Sequence, residues 1–337
     1  MHFRSCATYG VLLLTACGPQ KTMPEVNEPV AEAKEIVIEP SKNTPPPEPT
    51  TPAAAPTPPA KEPSAEPVLK YTGAFAAPES VLYDAANDRY LVSNVNGSPV
   101  ANDDNGYILS LSPEGAVTNP KLIAGGVNKV KLDAPKGMAI VGKELWVADI
   151  VLVRKFDLKT NEYKGDLKLP GATFANDIVA LEDGRVFVSD SGVTMTSAGF
   201  QPTGSDQVFV IDKAGKVKPL VRNKDLGGPN GLAIGTGNML LTNTFNSDEV
   251  YGIRESGDRD VITKVPGGQL DGLVFIDDTL IVSSWKTETV YRGKLGGIFT
   301  PLISKLRGAA DMGYDSKRKR LLVPRFLDDM VEVYDLK

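Results

Sequence analysis

The sequence predicts an all-β protein: a six-bladed β-propeller of four-stranded antiparallel blades, its ring closed by an N-terminal strand. Three observations predict it. Six related segments recur along residues 68–337, opening at Glu79, Lys136, Asn176, Asn230, Asp271 and Ala310, about 40 to 57 residues apart. Each opening leads through a short apolar run and a turn into a second apolar or alternating run, such as Leu145-Trp146-Val147-Ala148 or Val186-Phe187-Val188-Ser189, the pattern of a β-hairpin. No helical periodicity separates the segments, and four-strand repeats of this length pack radially as blades.

Taken in chain order, residues 1–16 carry Arg4 and then Val11-Leu12-Leu13-Leu14, an apolar stretch too short to cross about 30 Å of hydrocarbon. They read as an export signal. The run Leu14-Thr15-Ala16-Cys17 resembles the lipobox of bacterial lipoproteins, which implies cleavage before Cys17 and diacylglycerol on its sulfur. Acyl chains contribute about 0.8 kcal/mol per buried CH₂, so several of them anchor a protein that does not span the membrane. Gly18 after the cysteine favours the outer membrane of the cell envelope. Residues 17–67 are rich in Pro, Ala, Glu, Thr and Lys, as in Thr44-Pro45-Pro46-Pro47-Glu48-Pro49, and lack the apolar pattern needed for a core. A polyproline-like tether of this kind reaches about 3.1 Å per residue, on the order of 150 Å in all. Residues 68–337 form the propeller. The last repeat offers three strands before Lys337, and Val68-Leu69-Lys70-Tyr71 offers one strand without a blade, so the two ends are expected to share the sixth blade.

Composition removes several function classes. A formal charge of −5 without a basic stripe gives no footprint for nucleic acid. Both cysteines (Cys6 and Cys17) and the single histidine (His2) precede the propeller, so neither a thiolate metal site nor an imidazole base is available to it.

In a propeller the innermost strand of each blade lines the central channel, and its beginning lies at the face where the second strand ends. The openings Glu79, Lys136, Asn176, Asn230 and Asp271, with Asp177 and Asp311, are expected to meet the second-strand ends Asn94, Asp149, Asp190, Asn243, Ser284 and Arg325 on that face. Oxygen-bearing side chains predominate. Crowded carboxylates raise one another's pKa unless a cation joins them, and calcium, which takes six to eight oxygen ligands in flexible geometry, suits such a ring. Lys136 has two readings: a partner for Glu79 that competes with the metal, or a contact for an anionic substrate. Trp146 and Trp285 read as blade packing, Trp285 also as a substrate contact. Arg325 reads as a structural partner of Asp311 or Asp271. The polar run Asn102–Gly106 lacks the ligand spacing of an EF-hand and reads as a turn. The long Ser191–Asp206 connection reads as a surface loop that could also lid the face.

The segments Pro78-Glu79-Ser80-Val81, Asn176-Asp177, Pro229-Asn230-Gly231-Leu232 and Leu270-Asp271-Gly272-Leu273, with the strand end at Trp285, resemble the senescence-marker/regucalcin and gluconolactonase family of six-bladed propellers. The resemblance implies a divalent metal, calcium foremost, held by Glu79, Asn230 and Asp271, with Asn176 beside metal and substrate. It also implies hydrolysis of a lactone or ester, with Asp271 as the carboxylate that activates water. Where that family carries an arginine before its Asn-Asp pair this chain has Phe174, which removes a donor for sugar hydroxyls. The alternative function is a noncatalytic exported propeller that binds a protein, a glycan or another envelope component.

Overall fold

The computed structural model describes residues 66–336. The expected signal segment, Cys17 and nearly all of the tether lie outside them. The described residues form six four-stranded antiparallel sheets arranged as blades, together with one short hairpin. The innermost strands of blades 1 to 5 are Pro78–Asp84, Pro135–Val141, Ala175–Ala180, Pro229–Ile234 and Leu270–Ile276. Blade 6 is built from both ends of the chain. Its innermost strand is Gly313–Asp315, followed outward by Arg320–Arg325, Met330–Asp335 and the N-terminal strand Leu69–Thr72, which pairs Leu69 with Val333 and Thr72 with Met330. This is the ring closure expected from the sequence. The seam between blades 1 and 6 carries a parallel bridge from Ser80 to Asp311 and the bond Asp311 N–H to Glu79 C=O at 2.9 Å.

Strand propensity alone does not hold such a ring together; burial between blades does. The second strands are almost wholly buried because each is covered on both sides, as in Val186–Asp190, where every residue is buried and the first three are apolar. The core is accordingly divided into one cluster per blade junction. Met138 and Leu145 of blade 2 pack with Leu91 and Ile108 of blade 1. Trp146 and Val153 pack with Ile178 and Val188 of blade 3. At the seam, Tyr71 and Val333 pack with Tyr90 and Val92.

One local irregularity recurs and positions the site. In blades 1 to 5 the pairing of the innermost strand with its neighbour slips by a β-bulge, between Pro78 and Ser80, Pro135 and Met138, Ala175 and Ile178, Pro229 and Leu232, and Leu270 and Leu273. Bulges bend a strand and re-aim its side chains. Glu79, Lys136, Asn176, Asn230 and Asp271 all lie inside these five bulges. In three of these blades the next residue is glycine (Gly137, Gly231 and Gly272), because the blades meet closely there: a Cβ on Gly272 would lie 2.5 Å from the Ala310 carbonyl oxygen of the next blade.

The second-strand ends have a different part from the one expected. They hold the loops that lead into the innermost strands. Asp190 accepts from Phe174 N–H at 2.8 Å, Asp149 from Ala134 N–H at 2.7 Å and Asn94 from Ala76 N–H at 3.1 Å, whereas Asn243 holds the bulge itself by accepting from Gly231 N–H at 2.8 Å. Their side chains satisfy backbone groups that burial would otherwise leave unpaired. Arg325 departs too: its partners are Asp328 and Glu332, the latter at 3.3 Å, and not Asp311 or Asp271. The Asn102–Gly106 run is a loop pinned by Asp104, which accepts from Leu132 N–H at 3.0 Å and pairs with Lys131 at 2.7 Å.

Candidate functional site

The five bulge residues form the polar floor of one cavity of about 260 Å³ at the mouth of the central channel. Glu79, Asn176, Asn230 and Asp271 are buried, and Lys136 is only 1% exposed. Their amide nitrogens are tied down: Asn230 Nδ2 donates to the Leu270 carbonyl at 3.2 Å, and Asn176 Nδ2 to Ser191 Oγ at 3.3 Å. The oxygens are not. Glu79 Oε2, Asn176 Oδ1, Asn230 Oδ1 and Asp271 Oδ1 are all buried without a hydrogen-bond partner. Buried acceptors left in this way cost free energy until a donor or cation meets them.

Electrostatics sharpen that demand. Burial, followed by repulsion from Asp271 and Asp311, raises the Glu79 carboxyl well above the ordinary range, and Lys136 pulls it only partly back. Burial and Asp311 likewise raise Asp271, opposed by the Trp285 indole and the Asn230 amide that face it. One layer deeper, burial pushes Asp311 up to about 7, although Ser80 Oγ donates to it at 2.5 Å. Asp177 is also raised by burial and by Asp311, while the backbone N–H groups of Ile178 and Leu232 donate to it, each at 2.6 Å. Asp177 therefore staples blade 3 to blade 4 beneath the floor.

Lys136 makes no ion pair with Glu79 among the described residues. Its ammonium donates to the Ala134 carbonyl at 3.0 Å and lies 4.5 Å from the centre of the Phe174 ring. Burial lowers its pKa, against the pull of Glu79 and Asp149.

No group of three or more His, Cys, Asp or Glu side chains arranged to hold a metal occurs among the described residues. The floor offers instead two carboxylates and two amides whose free oxygens are hard donors, the chemistry that suits calcium or magnesium and not a soft metal. On that donor set Glu79, Asn230 and Asp271, with Asn176 beside them, fit a hard divalent cation.

Above the floor the wall is aromatic. Phe174, Phe200, Phe245, Trp285 and Phe326 form a continuous arc, with successive ring centres 5.5, 6.4, 6.0 and 5.5 Å apart. The first three contacts are edge-to-face and the last is tilted, and at these distances they add to the apolar area that each ring buries. Of the five, only Trp285 is expected from the sequence as a contact, and Phe174 as a departure from the family pattern. Phe245, Trp285 and Phe326 occupy one repeat position, immediately after the second strand, and each donates its N–H to a carbonyl of the loop before its own innermost strand: Gly228, Gln269 and Gly308. That position was the available signal. The remaining ring comes from an element the sequence reading treats as loop: residues 191–206 contain a hairpin of Val193–Thr196 and Gly199–Pro202, with Met195 facing Phe200 across it. Val193, Met195 and Phe200 all line the cavity. Trp146 is packing, with its indole N–H on Glu144 at 2.8 Å.

No protein-family model and no curated protein matches the chain. Solved structures do resemble it. A gluconolactonase from Xanthomonas campestris superposes with a TM-score of 0.60 at 16% identity, over 78% of this chain and 87% of that one. Virginiamycin B lyase from Staphylococcus aureus, in a catalytically inactive histidine-to-alanine form with quinupristin, superposes with a TM-score of 0.54 at 12% identity, over 77% of this chain and 95% of that one. At these identities the likeness is one of fold, the six-bladed propeller.

Proposed function

We propose that the protein is a divalent-metal-dependent hydrolase of lactones or esters, carried in the cell envelope by lipid on Cys17. The observation that carries this reading is the set of four buried, unpartnered oxygens on Glu79, Asn176, Asn230 and Asp271 at the floor of the cavity. Glu79, Asn230 and Asp271 would hold the cation, which when bound polarises a substrate carbonyl. Asp271, with a free Oδ1 and a raised affinity for protons, accepts the proton of an attacking water. The Lys136 ammonium has donors left to direct at the substrate oxygen that gains negative charge, and the aromatic wall keeps bulk water away from both. The gluconolactonase likeness supports the fold needed for this chemistry. Histidine chemistry of the kind that the virginiamycin B lyase variant removes has no counterpart, because the only histidine is His2.

A second reading rests on Lys136: its nearby charge partly offsets Glu79, which suits a binding module for an envelope component that needs neither metal nor turnover. A lactone and ester panel with calcium, before and after Asp271→Asn, separates the two. The hydrolase reading expects turnover that falls by at least about 10²-fold in the variant, in the range of lost acid–base catalysis. Ligand binding without turnover across the panel would favour the module.

A further inference from the structure

The cavity is polar at one end only. Beyond the five floor residues its lining is apolar except for Ser191, whose hydroxyl is occupied by the Pro229 carbonyl at 2.8 Å, and the buried Trp285 indole N–H, which faces Asp271. The arc from Phe174 to Phe326 presents ring faces and edges, and none of its rings carries a hydroxyl. At the mouth, Met195 and Phe200 are 36% and 38% exposed, large apolar side chains held toward water by the inserted hairpin. Apart from the Trp285 N–H, which is turned to Asp271 at the floor, a polyhydroxylated ligand would bury its hydroxyls against groups that neither donate nor accept. A ligand with an apolar body would cover the arc and the mouth and present one polar head to the floor.

We propose that the site selects lactones or esters with an aromatic or short alkyl body and rejects polyhydroxylated ones, and that Phe200 of the hairpin and Phe245 set this preference. The proposal rests on the reading of this cavity as the substrate site, and it deepens the hydrolase reading without requiring turnover. The aromatic body lies along the Phe200–Phe245–Trp285 stretch, and the carbonyl points to Lys136 and the acidic floor. Phe174 works in the same direction, because its ring lines the cavity between Lys136 and Phe200 and offers no hydrogen-bonding group.

The test pairs two probes that share one head. A phenyl-substituted δ-valerolactam and gluconolactam, both resistant to ester hydrolysis, are titrated against the full chain by following Trp285 emission. Trp146, the only other tryptophan, supplies the constant background. The expected result is at least about tenfold tighter binding of the phenyl probe, the scale on which apolar pockets discriminate. In Phe200→Ala and Phe245→Ala this preference shrinks, while weak gluconolactam binding stays as it was. Met195→Ala on the hairpin is a second variant, should Phe245→Ala fold poorly. Equal binding, tighter gluconolactam binding, or no binding of the phenyl probe would each overturn the inference. The matching lactones are then assayed for turnover: selective binding of the phenyl lactam with no hydrolysis of its lactone sinks the hydrolase reading and leaves the selectivity standing.

Discussion

At the scale of single residues the site depends on small side chains as much as on charged ones. Gly272 follows Asp271, and a Cβ there would meet the Ala310 carbonyl oxygen at 2.5 Å and Met312 N at 2.6 Å, both backbone atoms of the next blade. Gly272→Ala is therefore expected to destabilise the protein by about 1–3 kcal/mol, the usual scale of overpacking, as measured by chemical denaturation. The Asp271-Gly272 and Asn230-Gly231 pairs were legible in the sequence because they recur at one repeat position. The aromatic arc was legible only in part, since the position after the second strand is aromatic in blades 4 to 6 but holds Val95, Ile150 and Ser191 in blades 1 to 3. Lys136 was legible as a residue of the ring but not in its surroundings. A sequence cannot show that its charge rests on the Phe174 face and the Ala134 carbonyl instead of on Glu79.

The elements explain why these residues meet. The bulge at the start of each innermost strand turns one side chain toward the axis, and the second-strand end fixes the loop that feeds the bulge. Asp190 is the clearest case. It is fully buried and accepts from Phe174 N–H at 2.8 Å and Gln207 Nε2 at 2.9 Å. Asp190→Ala leaves those donors unpaired and is expected to cost about 1–3 kcal/mol, visible as a lower denaturation midpoint. Because Phe174 then loses its anchor, binding of an aromatic ligand should weaken in the same variant more than global stability alone explains. Strand order and blade count could be read from periodicity, but the inserted hairpin could not. Its strands have four residues each, with Thr, Ser and Gly around the turn, and such short exposed pairs carry too little apolar alternation to stand out from a loop.

At the scale of the whole molecule the ring is closed by the outer strand Leu69–Thr72 and by ionic contacts across the same seam. Asp88 of blade 1 meets Arg318 at 2.7 Å and Lys317 at 2.6 Å, both of blade 6. These partners hold the Asp88 carboxyl well below the usual carboxylate range. A folded-state pKa below the unfolded one contributes stability that is present above about pH 4 and is lost as the pH falls toward the folded value. Asp88→Asn should therefore flatten the acid limb of a thermal stability profile by lowering stability at neutral pH, by a small amount because the pair is exposed, while leaving stability in acid unchanged. The proposed lipid on Cys17 predicts that Cys17→Ala moves the protein from the membrane fraction to the soluble one, as fractionation of cells would read. Whether the oxygens of Glu79, Asn230 and Asp271 hold a hard divalent cation, as proposed, is decided by titrating calcium into chelator-treated full-length protein in a calorimeter. One saturable site is expected, absent in Glu79→Ala and Asp271→Ala. At 100 times its dissociation constant such a ligand stabilises the fold by about 2.7 kcal/mol. No heat with calcium, magnesium or manganese up to millimolar concentration would contradict the account.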